Sequence, residues 1–252
     1  LNYHIKYMEE NNIDIIHICE KSYPQILKQI YDAPVSLYIR GNKEILNGKN
    51  VGIVGCRECT DYGKKAAKYF AYNLSKEKSV NIVSGLARGV DSYAHWGSVG
   101  ANIEFESTKN CGKEQTGCEK LDITCEKLKN SCGKTIAVLG NGLDMIYPKE
   151  NIELANEIIR SGGAIISEYP CGTKPDKMNF PARNRIISGL SKGIIVIEAK
   201  EKSGTLITVD FALEQGRDVF VVPGNINSIN SVGTNDLIKQ GAKMVTSYED
   251  IK

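Results

Sequence analysis

Phe180, Arg183 and Arg185 stand close together in Asn179–Ser191, NFPARNRIISGLS, with Pro181 and Asn184 between them. An aromatic ring beside two guanidinium groups suits a polyanion that also carries flat rings. Pro181 fits the first turn of a helix, where its missing N–H costs nothing. The unpaired N–H groups and positive dipole end of that turn would add to the charge of Arg183 and Arg185. Phosphate is the natural ligand of such a turn, and a face of Phe180 suits a nucleobase, the combination found in single-strand binders. The same residues also fit an ordinary helix start with a core Phe and two solvated arginines. This segment by itself does not choose.

Other groups suited to anions recur along the chain. Gly55, Cys56 and Arg57 in GCRECT form a tight turn whose backbone N–H groups can approach a phosphate, with Arg57 adding charge. Arg88 and Gly89 close SGLARG, which also reads as an ordinary strand-to-helix turn. Lys174 and Lys177 precede Phe180, so together with Arg57, Arg88, Arg183 and Arg185 they would follow a nucleic-acid backbone without regard to base sequence. Ser203, Gly204 and Thr205 would cap a helix and donate to another phosphate, although capping alone explains them equally well.

Catalytic and cofactor signals are weaker. Gly140–Gly142 is not a full G-x-G-x-x-G, and no G-x-x-x-x-G-K-[ST] exists, so nothing argues for NAD or ATP. The expectation is a non-catalytic protein needing neither cofactor nor metal. His95 reads as a packing residue and Asp91 as a local cap or ion-pair partner. Cys56 and Cys59 form a C-x-x-C at a helix start, where a thiolate would be stabilised, which raises a thiol oxidoreductase as an alternative.

The elements that must position these groups are short β-branched runs alternating with helical patterns. Strands are predicted at Val51–Val54, Ile82–Ser84, Thr135–Leu139, Ala164–Ser167, Ile194–Ile197 and Val219–Val222. Helices are predicted at Tyr62–Glu77, Leu86–Ser98, Lys149–Ser161, Pro181–Leu190 and Thr205–Gln215. The fold class is α/β, a doubly wound, mostly parallel sheet. Each motif follows a strand, and in such sheets the ligand crevice lies outside the carboxyl ends of the strands, so the motifs should converge there. Residues 1–45 read as a polar, partly helical lead-in, the remnant of a helical domain, and residues 46–252 as the core.

With 252 residues and 41% hydrophobic content the chain can bury one sizeable core. A formal charge of +2 excludes a polyanion binder that is basic all over, so any nucleic-acid surface must be a local cluster of the 32 basic residues. There is no apolar run long enough to span a bilayer and no secretory signal, which points to the cytoplasm and to reduced cysteines, eight in all. The first residue is Leu, which suggests a fragment or a lost leader.

VGIVGCRECTDYG, IVSGLARGVDSYAH, TIAVLGNGLDMIYP and IIVIEAKEKSGTLITVDFALEQGRDVFVVPGNI, in this order and spacing, resemble the DNA-processing protein A family (DprA, also called Smf) over most of residues 20–250. The resemblance implies an extended Rossmann-like core that binds single-stranded DNA, protects incoming DNA and loads the RecA recombinase on it during natural transformation. It also implies a homodimer, with Val232–Tyr248 as the self-association surface and a contact for RecA; in sequence only Leu237, Ile238, Met244 and Val245 stand out there, and they also fit core positions. Cys56 replaces the small hydroxyl residue usual in the family's loop. Relatives often carry an N-terminal helical domain and sometimes a C-terminal winged helix, neither of which is here in full.

Residues 103–132 depart from the family, which joins this helix and strand by a short turn. Cys111, Cys118, Cys125 and Cys132 recur every seven residues, and in one helix neighbouring thiols would be about 10.5 Å apart, too far for a disulfide. A zinc site normally shows closer pairs, so a repeat-expanded polar loop on the face opposite the crevice is the expectation. The same fold group includes nucleoside phosphoribohydrolases, a nucleotide-binding enzyme alternative. Ile207 and Thr208 stand where their paired carboxylates would fall, leaving Glu168 and Glu198 as the remaining candidates.

Overall fold

The computed structural model describes residues 2–111 and 132–251. Six strands form the middle of one sheet: β3 (Asn50–Val54), β4 (Asn81–Ser84), β5 (Thr135–Leu139), β6 (Ala164–Ser167), β7 (Gly193–Val196) and β8 (Asp218–Val221). They run parallel, and every residue from β3 to β7 is buried. Burial on both faces is why the sequence shows them as unbroken apolar runs rather than as an alternation.

Three more strands complete the sheet. The lead-in expected to be partly helical contributes β1 (Ile13–His17) and β2 (Ser36–Gly41), which pair antiparallel with each other and, through β2, with β6. Helix there comprises α1 (Asn2–Glu10), the single turn α2 (Gln25–Lys28) and the start of a 3-10 turn at Lys43–Asn47. Lys243–Met244 form β9 beside β8. Among the described residues the order is β1-β2-β6-β5-β4-β3-β7-β8-β9. The chain therefore winds one way from β3 and the other way from β7, and these two neighbours mark the switch point at which open α/β sheets bind ligands.

Helices α3 (Asp61–Lys78), α4 (Val90–Cys111) and α5 (Ile152–Arg160) cover one face. Helices α6 (Asn179–Leu190) and α7 (Gly204–Glu214) cover the other together with Leu27 of α2, and α8 (Val232–Lys239) lies toward β8. Among the described residues no helix is long and apolar enough to cross a membrane.

α4 differs from expectation at both ends, and at its far end it runs past Ser98 to Cys111, into the segment expected to be a loop. α4 starts at Val90, not Leu86, because Leu86 (φ 54°) and Gly89 (φ +74°) both occupy the left-handed region, which a right-handed helix cannot continue through. Gly89 has no substitute, since a Cβ there would lie 2.3 Å from the Cys56 carbonyl oxygen. Most of the insertion, with Cys118 and Cys125 of the cysteine repeat, lies outside the described residues. The chain returns at Gly133, whose N–H donates to Ser75 O at 2.8 Å and whose carbonyl accepts from Asn102 Nδ2 at 2.9 Å. That anchor sits at the amino ends of β4 and β5, across the sheet from the switch point.

Candidate nucleic-acid interface

A crevice of about 710 Å³ opens at the carboxyl ends of β3 and β7. Its wall begins with Gly55–Arg57, which is laced to both neighbours: Cys56 N–H donates to Glu198 O at 2.9 Å, and Val90 N–H donates to Cys56 O at 3.1 Å. Arg57 is left exposed at the tip. Burial pushes the Cys56 and Cys59 thiols above their ordinary range, opposite to the lowered thiol pKa that a C-x-x-C oxidoreductase uses.

Gly55, Cys56, Arg57, Arg88, Lys177, Phe180, Arg183, Asn184, Ser203, Gly204 and Thr205 all line this crevice. Gly89, Lys174 and Arg185 do not. Gly89 shapes the loop behind it, Lys174 is exposed on the approach, and Arg185 points elsewhere.

The two arginines of α6 are corrected by their surroundings. Arg183 is 4% exposed, and its Nη1 donates to Gly85 O at 2.6 Å and to Val138 O, tying α6 to the ends of β4 and β5. Burial pulls its pKa down to about 10, still charged at neutral pH. Gly85 is pressed against it, for a Cβ there would lie 2.4 Å from Arg183 Nη1. Arg185 donates from Nε to Asp32 and from Nη2 to Glu168, each at 2.7 Å. Burial works against its charge, but Glu168 and Asp32 outweigh that and hold the guanidinium above its usual range. The positions one and three residues before a buried apolar run carry charge that the fold spends internally.

Charge and aromatic surface meet instead at Arg57, Lys177, Phe180 and Tyr147. Phe180 is half-buried, and its ring stacks on Tyr147 with centroids 5.6 Å apart. Arg57 Cζ lies 5.5 Å from the Phe180 centroid, within cation–π reach. Tyr147, Lys200 and Lys202 are crevice residues that reading the sequence did not single out, though each sits inside a quoted strand-end motif. The amino ends of α6 and α7 both enter the crevice and add positive potential. Ser203 is an ordinary cap, its Oγ accepting from Thr205 N–H at 3.2 Å, and Asn184 Nδ2 donates to Gly204 O at 3.4 Å, joining the two helices.

The carboxylates are occupied. Asp91 accepts from Gly85 N–H at 3.1 Å and is buried, which raises its pKa. Glu198 accepts from Thr60 Oγ1 (2.6 Å) and N–H (2.9 Å) and faces a separate cleft beside Tyr62 and Pro223. Glu168 is paired with Arg185. His95 is fully buried, hydrogen-bonded through Nδ1 to Thr135 Oγ1 at 2.6 Å, and burial lowers its pKa to about 3. Among the described residues no cluster of His, Cys, Asp or Glu is placed to hold a metal ion.

Fold and crevice define a doubly wound, Rossmann-like protein with a basic and aromatic strand-end site. The chain belongs to the DNA recombination-mediator protein A family, whose sequence model matches residues 14–115 and 121–252. It is 42% identical over 243 residues to DNA processing protein DprA of Bacillus subtilis, covering 96% of this chain and 71% of that protein. It is 38% identical over 245 residues to protein Smf of Escherichia coli, covering 97% of this chain and 57% of Smf. The crystal structure of DprA from Streptococcus pneumoniae superimposes with a TM-score of 0.77 at 39% identity, covering 98% of this chain and 76% of that one. DprA from Helicobacter pylori, described for its single-stranded DNA binding mode, gives a TM-score of 0.73 at 29% identity, with 94% and 93% covered.

Proposed function

We propose that this protein binds single-stranded DNA in the crevice without catalysing a reaction on it. The observation that carries this reading is the Arg57–Phe180–Tyr147 stack beside Lys177: a ring face for bases and exposed cations for the backbone, in one groove. The relative whose single-strand binding mode is described, at 29% identity, supports it. The enzyme alternative is disfavoured because Glu168 and Glu198, the carboxylates left to activate water, are engaged with Arg185 and Thr60 and neither lines the crevice.

Membership of the family supports a wider role in the cytoplasm, in which the protein shields incoming DNA and loads RecA on it as a homodimer. On this proposal Val232–Tyr248 is the self-association surface. Met244 is the exposed apolar residue there; Val245 is buried, and Leu237 and Ile238 pack partly against the core. Anisotropy titration of an oligonucleotide against salt tests the central reading. Binding to single strands that weakens steeply with salt is expected, and equal preference for duplex, or no binding at low salt, would sink it. Light scattering that returned a monomer at micromolar concentration would remove the dimer, and RecA contact has its own pull-down.

A further inference from the structure

Arg57, Arg88, Lys177, Lys200 and Lys202 are the crevice cations that reach solvent. Two of them already hold an anion. Arg88 Nε and Nη2 donate to Glu150 Oε1 and Oε2 at 2.5 and 2.8 Å, a two-point clasp, and Lys200 Nζ donates to Glu58 Oε2 at 3.0 Å. Arg57, Lys177 and Lys202 have no carboxylate partner among the described residues.

Exposed ion pairs are common and add little to folding, and the Arg88 and Glu150 side chains are 62% and 53% accessible. These two differ from a chance encounter of side chains because the backbone that carries each acid is held in place. Asn151, next to Glu150, is buried, and its Nδ2 donates to Leu86 O at 2.9 Å and toward Ala87 O at 3.4 Å, the residues just before Arg88. Asn230 Nδ2 likewise donates to the Glu58 carbonyl at 2.8 Å. The Glu150 turn is thus clipped directly to the residues before Arg88, and the Glu58 turn to Asn230, whose carbonyl accepts from Ala199 N–H beside Lys200. A carboxylate meets a guanidinium with the same two-oxygen geometry as a phosphate, so Glu150 occupies the position a strand phosphate would take on Arg88.

We propose that Glu150, with Glu58 in a lesser role, sets the affinity of the crevice by acting as a built-in competitor for strand phosphate. The inference rests on the reading of the crevice as a single-strand site. A bound strand exchanges one anion for another at Arg88, so the ion pair that must open offsets part of what the new phosphate contact gains. The pair also recaptures Arg88 as the strand leaves.

The test is anisotropy titration of an oligothymidylate against salt for the parent chain, Glu150→Gln, Glu58→Gln and Glu153→Gln. Glu153 is an exposed acid three residues further on that removes the same charge without touching Arg88. Glu150→Gln should bind about two- to fivefold tighter, the weight of one exposed ion pair. Its log–log salt dependence should steepen by at most about 0.7, one phosphate contact to a single strand. Glu58→Gln should gain less, and Glu153→Gln nothing. Thermal midpoints equal to the parent's confirm intact folding. A parent that binds while Glu150→Gln binds no tighter, or a Glu153→Gln gain as large as that of Glu150→Gln, overturns the competitor and leaves the single-strand reading standing. A parent that does not bind single strands overturns both.

Discussion

The rings of Phe180 and Tyr147 are 26° from parallel and come from the first turn of α6 and from the loop after β5, so the stacking platform of the crevice is assembled by the fold and not by one motif. Phe180 also packs on Gly140, where a Cβ would lie 3.0 Å from the ring. Removing either ring therefore changes both the platform and its support.

Phe180→Ala should weaken single-strand binding by about 1–3 kcal/mol and leave the salt slope nearly unchanged, because a stacked base releases no counterion. Phe180→Leu keeps apolar volume against Gly140 and separates packing from stacking. A Leu variant that melts like the parent and binds like it would remove the stacking role.

Arg57→Ala and Arg183→Ala should differ in kind. Arg57 is exposed and without a carboxylate partner among the described residues, so its loss should lower the salt slope by about 0.7 with little effect on melting. Arg183→Ala strips a buried donor from two carbonyls and leaves Asp91 without its nearby positive charge, a loss of about 2–5 kcal/mol of stability. Thermal melting beside the titration separates them. If Arg183→Ala folds as well as the parent, the buried tie has been overrated.

Acid should destabilise the fold through His95. Burial holds its pKa at about 3 in the folded chain against 6.5 for a free imidazole, so between these limits the unfolded chain binds a proton that the folded chain refuses. Stability from this source is intact above about pH 6.5 and declines as pH falls toward 3, by about 2 kcal/mol at pH 5. His95→Gln, which can still reach Thr135, should show a shallower fall in melting temperature between pH 7 and 4. Parallel curves for parent and variant would count against it.

Replacing residues 112–131 by a short Gly-Ser linker should leave single-strand binding and the thermal midpoint unchanged. The return point at Gly133 is pinned by Ser75 and Asn102 at the amino ends of the strands, and the crevice lies at their carboxyl ends. Weakened binding in the linker variant, with melting preserved, would assign the insertion a part in the site.

What could be read from sequence follows what each residue's partners are. The six central strands were legible because Val51–Val54, Thr135–Leu139 and their neighbours are buried on both faces and need no knowledge of what they pair with. IDIIH and SLYIRG were not, since one is an outer strand with exposed Asp14, Ile15 and His17, and the other mixes Leu37 and Ile39 with half-buried neighbours. The strand-end motifs come together around the crevice, and Phe180 and Arg57 stand in it. The fates of Arg183 and Arg185 were hidden because their partners, Gly85, Val138 and Asp32, are far away in the chain. Charge is visible in a sequence, while the group that neutralises it is set by topology.

The sheet's two outer margins limit how copies of the protein can associate. At one margin β9 is only two residues long, and at the other β1 carries an exposed Asp14 already engaged by Lys43. Neither offers the long row of unpaired backbone groups on which a second chain could lay a continuing strand. If the proposed dimer forms near α8, it must therefore cohere through side chains, and its strength would be tunable by point substitution without the sheets fusing end to end.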